Sequence, residues 1–150
     1  MDAITAPTST WEIVGRLALA TLVGAAIGIN REWEGKPAGL RTHALVALGG
    51  ALFTVIGLML GPGDESAASR ILQGITAGVG FIGAGVIMRR PKANDVQGLT
   101  TAAAIWVVAA IGVAVGAGLW RTSLIALGLG LFVLIVGEAI DRWLHWRNTA

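Results

Sequence analysis

The sequence predicts an all-α fold: a polytopic membrane helix bundle with five transmembrane helices, the amino terminus outside and the carboxyl terminus in the cytoplasm. Of the 150 residues, 55% are hydrophobic and only 13% are charged, about half the charged share of an average soluble domain. The charges are clustered, and between them lie stretches of roughly 20 uncharged residues, enough helix to cross a hydrocarbon core of about 30 Å. The chain contains no cysteine, which excludes disulfide scaffolds, thiolate metal sites and cysteine nucleophiles.

Five segments combine an apolar composition with a length sufficient to span the membrane, and they cover residues 11–29, 42–60, 71–88, 99–119 and 122–140. The tail at 1–10 has no Lys or Arg, so it lacks the positive start of a secretory signal peptide. A tight hairpin around Trp120 and Arg121 is predicted to separate the fourth segment from the fifth. We therefore expect an extracytoplasmic tail at 1–10, a transmembrane domain at 11–140 and a cytoplasmic tail at 141–150.

The basic residues predict the orientation of these spans. Most of the 11 Lys and Arg residues follow odd-numbered spans, namely Arg31, Lys36, Arg41, Arg89, Arg90, Lys92, Arg142 and Arg147. The positive-inside rule places this side in the cytoplasm. Because these basic residues flank apolar segments, we interpret them as topology signals and expect the lipid bilayer, and no nucleic acid, as a partner.

Glycines lie at helical spacing inside the spans. Nine of them are predicted to be helix-packing positions: Gly24, Gly28, Gly74, Gly78, Gly80, Gly83, Gly85, Gly112 and Gly116. In lipid, glycine allows two helix backbones to approach closely. The spacing is equally compatible with packing within one chain and with a homo-oligomer. Residues 78–83 also match the GxGxxG pattern, but no strand precedes them, so a dinucleotide site is not indicated.

Polar residues concentrate at the predicted cytoplasmic face, before the second and fourth spans. Those residues are Asn30, Arg31, Glu32, Arg41, Thr42, His43, Asp95, Thr100 and Thr101. One interpretation is a shared polar vestibule, where hydroxyls and free backbone N–H groups meet. The other is a set of helix caps and snorkelling anchors. His43 is correspondingly either a hydrogen-bonded interface residue or a proton relay.

The spans contain few side chains suited to catalysis or metal binding. They contain no Ser-His-Asp arrangement, paired carboxylates or metal-binding motif, so we expect no enzyme activity, no cofactor and no metal. A divalent cation requires oxygen ligands, and the spans supply essentially Glu12 and Glu138, which lie at opposite ends. This weakens a transporter hypothesis. The spacing of Glu12 and Arg16 instead predicts an ion pair near the interface.

Three motifs occur in order along the chain. Residues 38–46 read AGLRTHALV, residues 78–87 read GVGFIGAGVI, and residues 98–103 read GLTTAA, followed by Trp106. Together they resemble the MgtC/SapB family of bacterial inner-membrane proteins. Longer members carry a soluble cytoplasmic domain after the fifth span, and this chain is expected to be a short form without it.

The resemblance implies a five-span inner-membrane protein linked to magnesium homeostasis in low magnesium and, in some members, to virulence through survival inside macrophages. Virulence-type members are understood to restrain the F-type ATP synthase by contact within the membrane. The resemblance thus implies a regulatory protein that contacts such a complex through its helices. A small ion transporter or channel, for magnesium or another cation, is the alternative, and an assembly factor is a third class.

Overall fold

The computed structural model describes residues 4–61, 63–89 and 96–149. Within these ranges the chain forms five helices: α1 (Thr10–Trp33), α2 (Leu40–Leu60), α3 (Glu65–Val86), α4 (Leu99–Gly116) and α5 (Trp120–Thr149). Between α3 and α4, β1 (Met88–Arg89) pairs antiparallel with β2 (Val96–Gln97). The predicted all-α class is therefore confirmed, with one two-residue strand pair that the sequence did not indicate.

Two helices end earlier than the predicted spans. The third segment was expected to run to Met88, but α3 ends at Val86 because Met88 pairs with Gln97 in the strand pair. The fourth was expected to run to residue 119, but α4 ends at Gly116, and Gly118 has a positive φ of 83° that an ordinary helix does not adopt. The hairpin therefore turns just before Trp120, which is already the first residue of α5.

The helices begin with caps of different origin. The Ser9 hydroxyl accepts a hydrogen bond from the Glu12 amide at 3.2 Å, and Asp64 Oδ1 accepts two from the first turn of α3. Gly39, which precedes α2, has no side chain to cap it. Glu32 of α1 replaces the missing cap, because its Oε2 accepts from the Leu40 amide at 2.8 Å. The α1–α2 turn is thus held by a bond between two helices.

Gly98 brings the end of α3 against the start of α4. It precedes α4 with a φ of +93°, and a Cβ placed there would overlap the carbonyl oxygen of Val86. A side chain at this position would be both conformationally strained and sterically blocked. Residue 98 therefore has to be glycine for the two helices to meet as they do.

The centre of the molecule is formed by α1, α2 and α4. Its buried cluster consists of small and branched apolar residues: Ala20, Val23, Ile27, Ala47, Ala51, Val108, Ile111 and Val115. Four side chains of α5, among them Leu127 and Leu131, pack on the outside of this cluster. Helix α3 lies on another side, where Val79 packs with Ile105 and Ala109 of α4.

The outer surface of the helices is apolar. Large hydrophobic side chains are exposed along their length, including Leu22, Phe53, Phe81 and Val133. Four helical stretches are long and apolar enough to cross a membrane: Thr10–Trp33, Leu40–Leu60, Leu99–Gly116 and Trp120–Leu144. Helix α3 is not among them, and its first turns contain polar residues that include Arg70 and Gln73.

A buried polar cluster at the α1–α2 turn

Arg31 is the centre of a polar cluster in the last turn of α1. Its side chain is only 1% exposed, and Nε and Nη2 donate to the Asn30 Oδ1 atom at 3.0 and 2.7 Å. Nη2 also forms an ion pair with Glu34 Oε2, while the Asn30 amide donates to Glu34 Oε1 at 2.9 Å. The three side chains form a closed ring of hydrogen bonds.

This ring explains how a guanidinium can be buried there. Removing a charge from water costs several kcal/mol unless a partner charge and hydrogen bonds replace the lost hydration. Glu34 supplies the partner charge and Asn30 supplies an acceptor. The carbonyl groups at the carboxyl end of α1 also favour a cation at this position. Arg31 is therefore a fixed structural charge.

The α1–α2 turn is also tied to α5. Lys36 Nζ lies 3.1 Å from Glu138 Oε2, and both side chains are about one-third exposed or less. Ala38 is buried against Val79 and Ile105, so the turn contacts α3 and α4 as well. Glu138, which the sequence offered as one of two acidic groups inside the spans, is thus engaged in an ion pair.

His43 lies in the first turns of α2 and is fully buried. Its Nδ1–H donates to the Gly39 carbonyl oxygen at 2.9 Å. Its Nε2 has no hydrogen-bond partner. Every other buried side-chain nitrogen or oxygen in the described residues has one. Leaving a buried polar atom unpaired costs about 1–3 kcal/mol. His43 is thus hydrogen-bonded, as one interpretation of the sequence expected, and it is buried with one ring nitrogen unpaired.

The remaining residues of the predicted vestibule are not all brought together. Thr101 is buried one turn before Ile105 and so lies near the α1–α2 turn. Thr42 is half-buried, whereas Arg41 and Thr100 are exposed and lie outside the buried cluster. Glu32 is exposed and serves as the cap of α2. Asp95 lies outside the described residues.

Four of the predicted packing glycines sit where two backbones meet. A Cβ on Gly24 would lie 2.5 Å from the His43 carbonyl oxygen, and one on Gly28 would lie 2.7 Å from the Leu40 Cα. On α4, a Cβ on Gly112 would overlap the Ala47 carbonyl, and one on Gly116 would lie 2.6 Å from the Ala51 carbonyl oxygen. These four positions join α2 to α1 on one side and to α4 on the other.

The glycines of α3 behave differently. A Cβ on Gly83 would make only ordinary contact with Ala102, at 3.6 Å. At Gly74, Gly78, Gly80 and Gly85, no atom of the described chain lies within 4 Å of an added Cβ. Within the described residues, these four glycines therefore make no close contact with another helix of the chain. The reason is that α3 meets α4 through other residues, such as Val79; contact with a second chain stays a prediction.

Arg16 forms a second buried cluster at the opposite end of the bundle. The predicted ion pair with Glu12 is present, at 2.5 Å. Arg16 Nη1 also donates at 2.7 Å to the carbonyl oxygens of Thr5 and Gly116, the latter 100 residues away in sequence. It thereby joins the amino-terminal segment and the end of α4 to α1. In the sequence, the signal for this cluster is a basic residue inside an otherwise apolar span. No local sequence pattern indicates that this residue binds the Gly116 carbonyl.

The fold and the two buried clusters define a multi-pass membrane protein of the helix-bundle class. Among the residues that the structure describes, no group of three or more His, Cys, Asp or Glu side chains could hold a metal ion. The model of the MgtC family matches residues 17–143. The chain belongs to the MgtC family, and the resemblance seen in its motifs is confirmed.

Similar proteins occur in several bacteria. SrpB of Synechococcus elongatus is 46% identical over 97% of this chain and 87% of its own length. MgtC of Salmonella typhimurium is 46% identical over 84% of this chain, and YhiD of Escherichia coli K12, whose full name proposes magnesium transport, is 42% identical over 93%. The chain spans 53% of MgtC and 66% of YhiD. No solved structure matches it.

Proposed function

We propose that this protein is an inner-membrane regulator that serves adaptation to low magnesium by contacting another membrane complex, such as the F-type ATP synthase, through its helices. Membership of the MgtC family supports the assignment. The magnesium link is further supported by the name of YhiD. A protein that acts by contact needs no ion path through its centre. The packing of the central helices therefore bears on the proposal, because it shows whether there is room for such a path.

The observation that carries the proposal is the closed centre of the bundle. On α2, Ala47 and Ala51 meet Gly112 and Gly116 of α4 backbone to backbone, while α1 approaches the start of α2 at Gly24. Contacts this close leave no room for a file of water or ions between α1, α2 and α4. A contact protein needs no such passage, whereas a channel does.

Packing also supports α3 as a fifth membrane span. Near its carboxyl end Gly83 lies against Ala102, close to the start of α4. Towards its amino end Leu72 and Val113 line a common cavity of 150 Å³, close to the end of α4. Because α3 runs along most of α4, it crosses whatever thickness α4 crosses. Five spans with the basic ends in the cytoplasm place the amino terminus outside.

Helix α5 offers the surface for contact. Only 11% of the apolar stretch of α5 is buried inside the chain, compared with 50% for α4. Exposed Leu129, Phe132 and Val133 lie in the middle of this helix. We propose that this face contacts the partner complex, because a partner can cover it without displacing any contact between α5 and the other helices.

Proton pumping in inverted membrane vesicles tests the regulatory function. Adding the purified protein should slow ATP-driven acidification, and the double variant Phe132→Ala and Val133→Ala should slow it less. The matched control is Leu22→Ala on α1, which shortens an equally exposed side chain on a different helix. Unchanged pumping at saturating protein would contradict the regulatory proposal.

A cation transporter is the second candidate, and one observation favours it. His43 presents an unpaired ring nitrogen inside a membrane helix, and polar groups in such places often belong to ion pathways. Proteoliposomes containing a magnesium-sensitive dye decide between the two functions. Flux that His43→Phe abolishes would support transport, whereas flux no greater than that of empty liposomes would exclude it.

A further inference from the structure

An apolar groove lies between α2 and α3. It has a volume of 640 Å³, and its lining includes Leu45, Phe53, Ile75 and Ile82. This is within the range of about 300–1,000 Å³ typical of small-molecule sites. Glycines on the walls leave this space open: Gly49, Gly74 and Gly78 line the groove, and an added Cβ on any of them would meet no atom of the described residues within 4 Å.

Towards the α2–α3 turn, the groove adjoins a polar pocket of 420 Å³. Ile71 lines both spaces, and Asp64 and Arg70 line the polar one. The two charged side chains are more than half exposed, and Arg70 Nη2 lies 3.9 Å from Asp64 Oδ2. A carboxylate and a guanidinium thus stand side by side at the mouth of an apolar groove, where the end of the helix meets the membrane surface.

We infer that the groove binds one acyl chain of a phospholipid whose headgroup is phosphoethanolamine. Arg70 would take the phosphate, since a guanidinium offers paired donors that match phosphate oxygens. Asp64 would accept hydrogen bonds from the primary ammonium. A choline headgroup has no N–H to donate, and a glycerol headgroup has no cation for the carboxylate. The charge pair therefore selects one headgroup chemistry.

The extent of the groove favours a lipid chain over a second protein helix. Its lining runs over residues 45–53 of α2 and 71–82 of α3, which at about 1.5 Å per residue corresponds to about 12 and 17 Å. This is about half of a hydrocarbon core of about 30 Å. A helix of a second copy would cross the whole core and match the groove over only part of its length, whereas a single acyl chain covers about half of the core.

Native mass spectrometry of the detergent-solubilised protein tests this inference. The wild type is mixed in turn with equal amounts of phosphatidylethanolamine, phosphatidylcholine and phosphatidylglycerol. We expect one phosphatidylethanolamine per chain to be retained, in preference to the other two by about tenfold, the effect of one charge-assisted hydrogen bond.

Two matched pairs of variants locate the site. Gly78→Leu places a side chain in the groove and should abolish retention, while Gly80→Leu, equally unobstructed but not a lining residue, should retain it. Asp64→Asn keeps an N-cap residue for α3 and removes the charge, so it should equalise phosphatidylethanolamine and phosphatidylcholine. Its control, Arg121→Gln, removes a charge that lies over Trp120 instead.

Three results would overturn the lipid site. These are equal retention of all three lipids by the wild type, undiminished retention by a folded Gly78→Leu variant, and a dimer that Gly78→Leu dissociates with no lipid bound, which would assign the groove to a second copy. Circular dichroism and gel filtration establish whether Gly78→Leu is folded. If it is not, Asp64→Asn decides, since loss of the headgroup preference supports the site and its persistence refutes it.

Discussion

At the scale of single residues, the structure separates glycines that the sequence treats alike. The spacing of Gly112 and Gly116 is the same as that of Gly74 and Gly78, yet the first two touch the α2 backbone and the others line an open groove. Spacing indicates that a helix has a small-residue face, but it contains no information about which neighbour that face meets. The neighbour depends on the arrangement of the whole bundle.

The two kinds of glycine predict opposite responses to substitution. In Gly112→Ala the new methyl group would overlap the Ala47 carbonyl, and we expect a loss of about 1–3 kcal/mol through overpacking. In Gly80→Ala the methyl group meets open space, and stability should be unchanged or higher because alanine favours helix. Reversible unfolding in mixed micelles measures both. Equal stabilities for the two variants would show that α2 and α4 are not in backbone contact.

His43 allows stability and activity to be separated. His43→Leu has nearly the volume of the histidine side chain, loses the bond to Gly39 and removes the unpaired Nε2, so the net change in unfolding free energy should be within about 1 kcal/mol. An unsatisfied group that persists in a core is commonly retained for function. We therefore expect an almost unchanged melting temperature and a lost effect on proton pumping. Full activity of the variant would show that Nε2 has no functional role.

At the scale of elements, the sequence predicted the number and order of the helices from the apolar composition and length of the segments. It did not predict which hydrogen bonds join one helix to another, because these bonds connect residues that are distant in the sequence or lie on different helices. Arg16 reaches Gly116 at the far end of α4, and Glu32 caps a helix other than its own. The strand pair also went unpredicted, since two residues per strand produce no periodicity.

The cap on α2 gives a test at this scale. Glu32→Ala removes the acceptor of the Leu40 amide and should destabilise the start of α2 by about 1 kcal/mol, the usual value of a helix cap. Glu32→Gln keeps an acceptor oxygen and should cost less. Hydrogen exchange at the first amides of α2 measures the difference. Identical exchange in the wild type and Glu32→Ala would contradict the proposed role of Glu32.

At the scale of the whole molecule, α1, α2 and α4 pack closely together, and α3 and α5 lie on their outside. Arg16 joins α1 to the end of α4 at one end of the bundle, and at the other end Arg31 forms a buried ion pair at the carboxyl end of α1 itself. The predicted vestibule is therefore largely a set of structural contacts, with His43 as the exception. The apolar groove lies between α3 and the outer side of α2, and the exposed face of α5 lies on the outside of the bundle, so neither is part of the contact between α1, α2 and α4.

The proposed number and orientation of the membrane spans are tested most directly by labelling single cysteines in intact cells with a membrane-impermeant maleimide, because the chain has no cysteine of its own. We expect Ser66→Cys to be labelled from outside, whereas Lys36→Cys and Lys92→Cys should be labelled only after the membrane is opened. Labelling of Lys92→Cys in intact cells together with Ser66→Cys would show that α3 does not cross the membrane, and labelling of Lys36→Cys would show that the orientation is reversed.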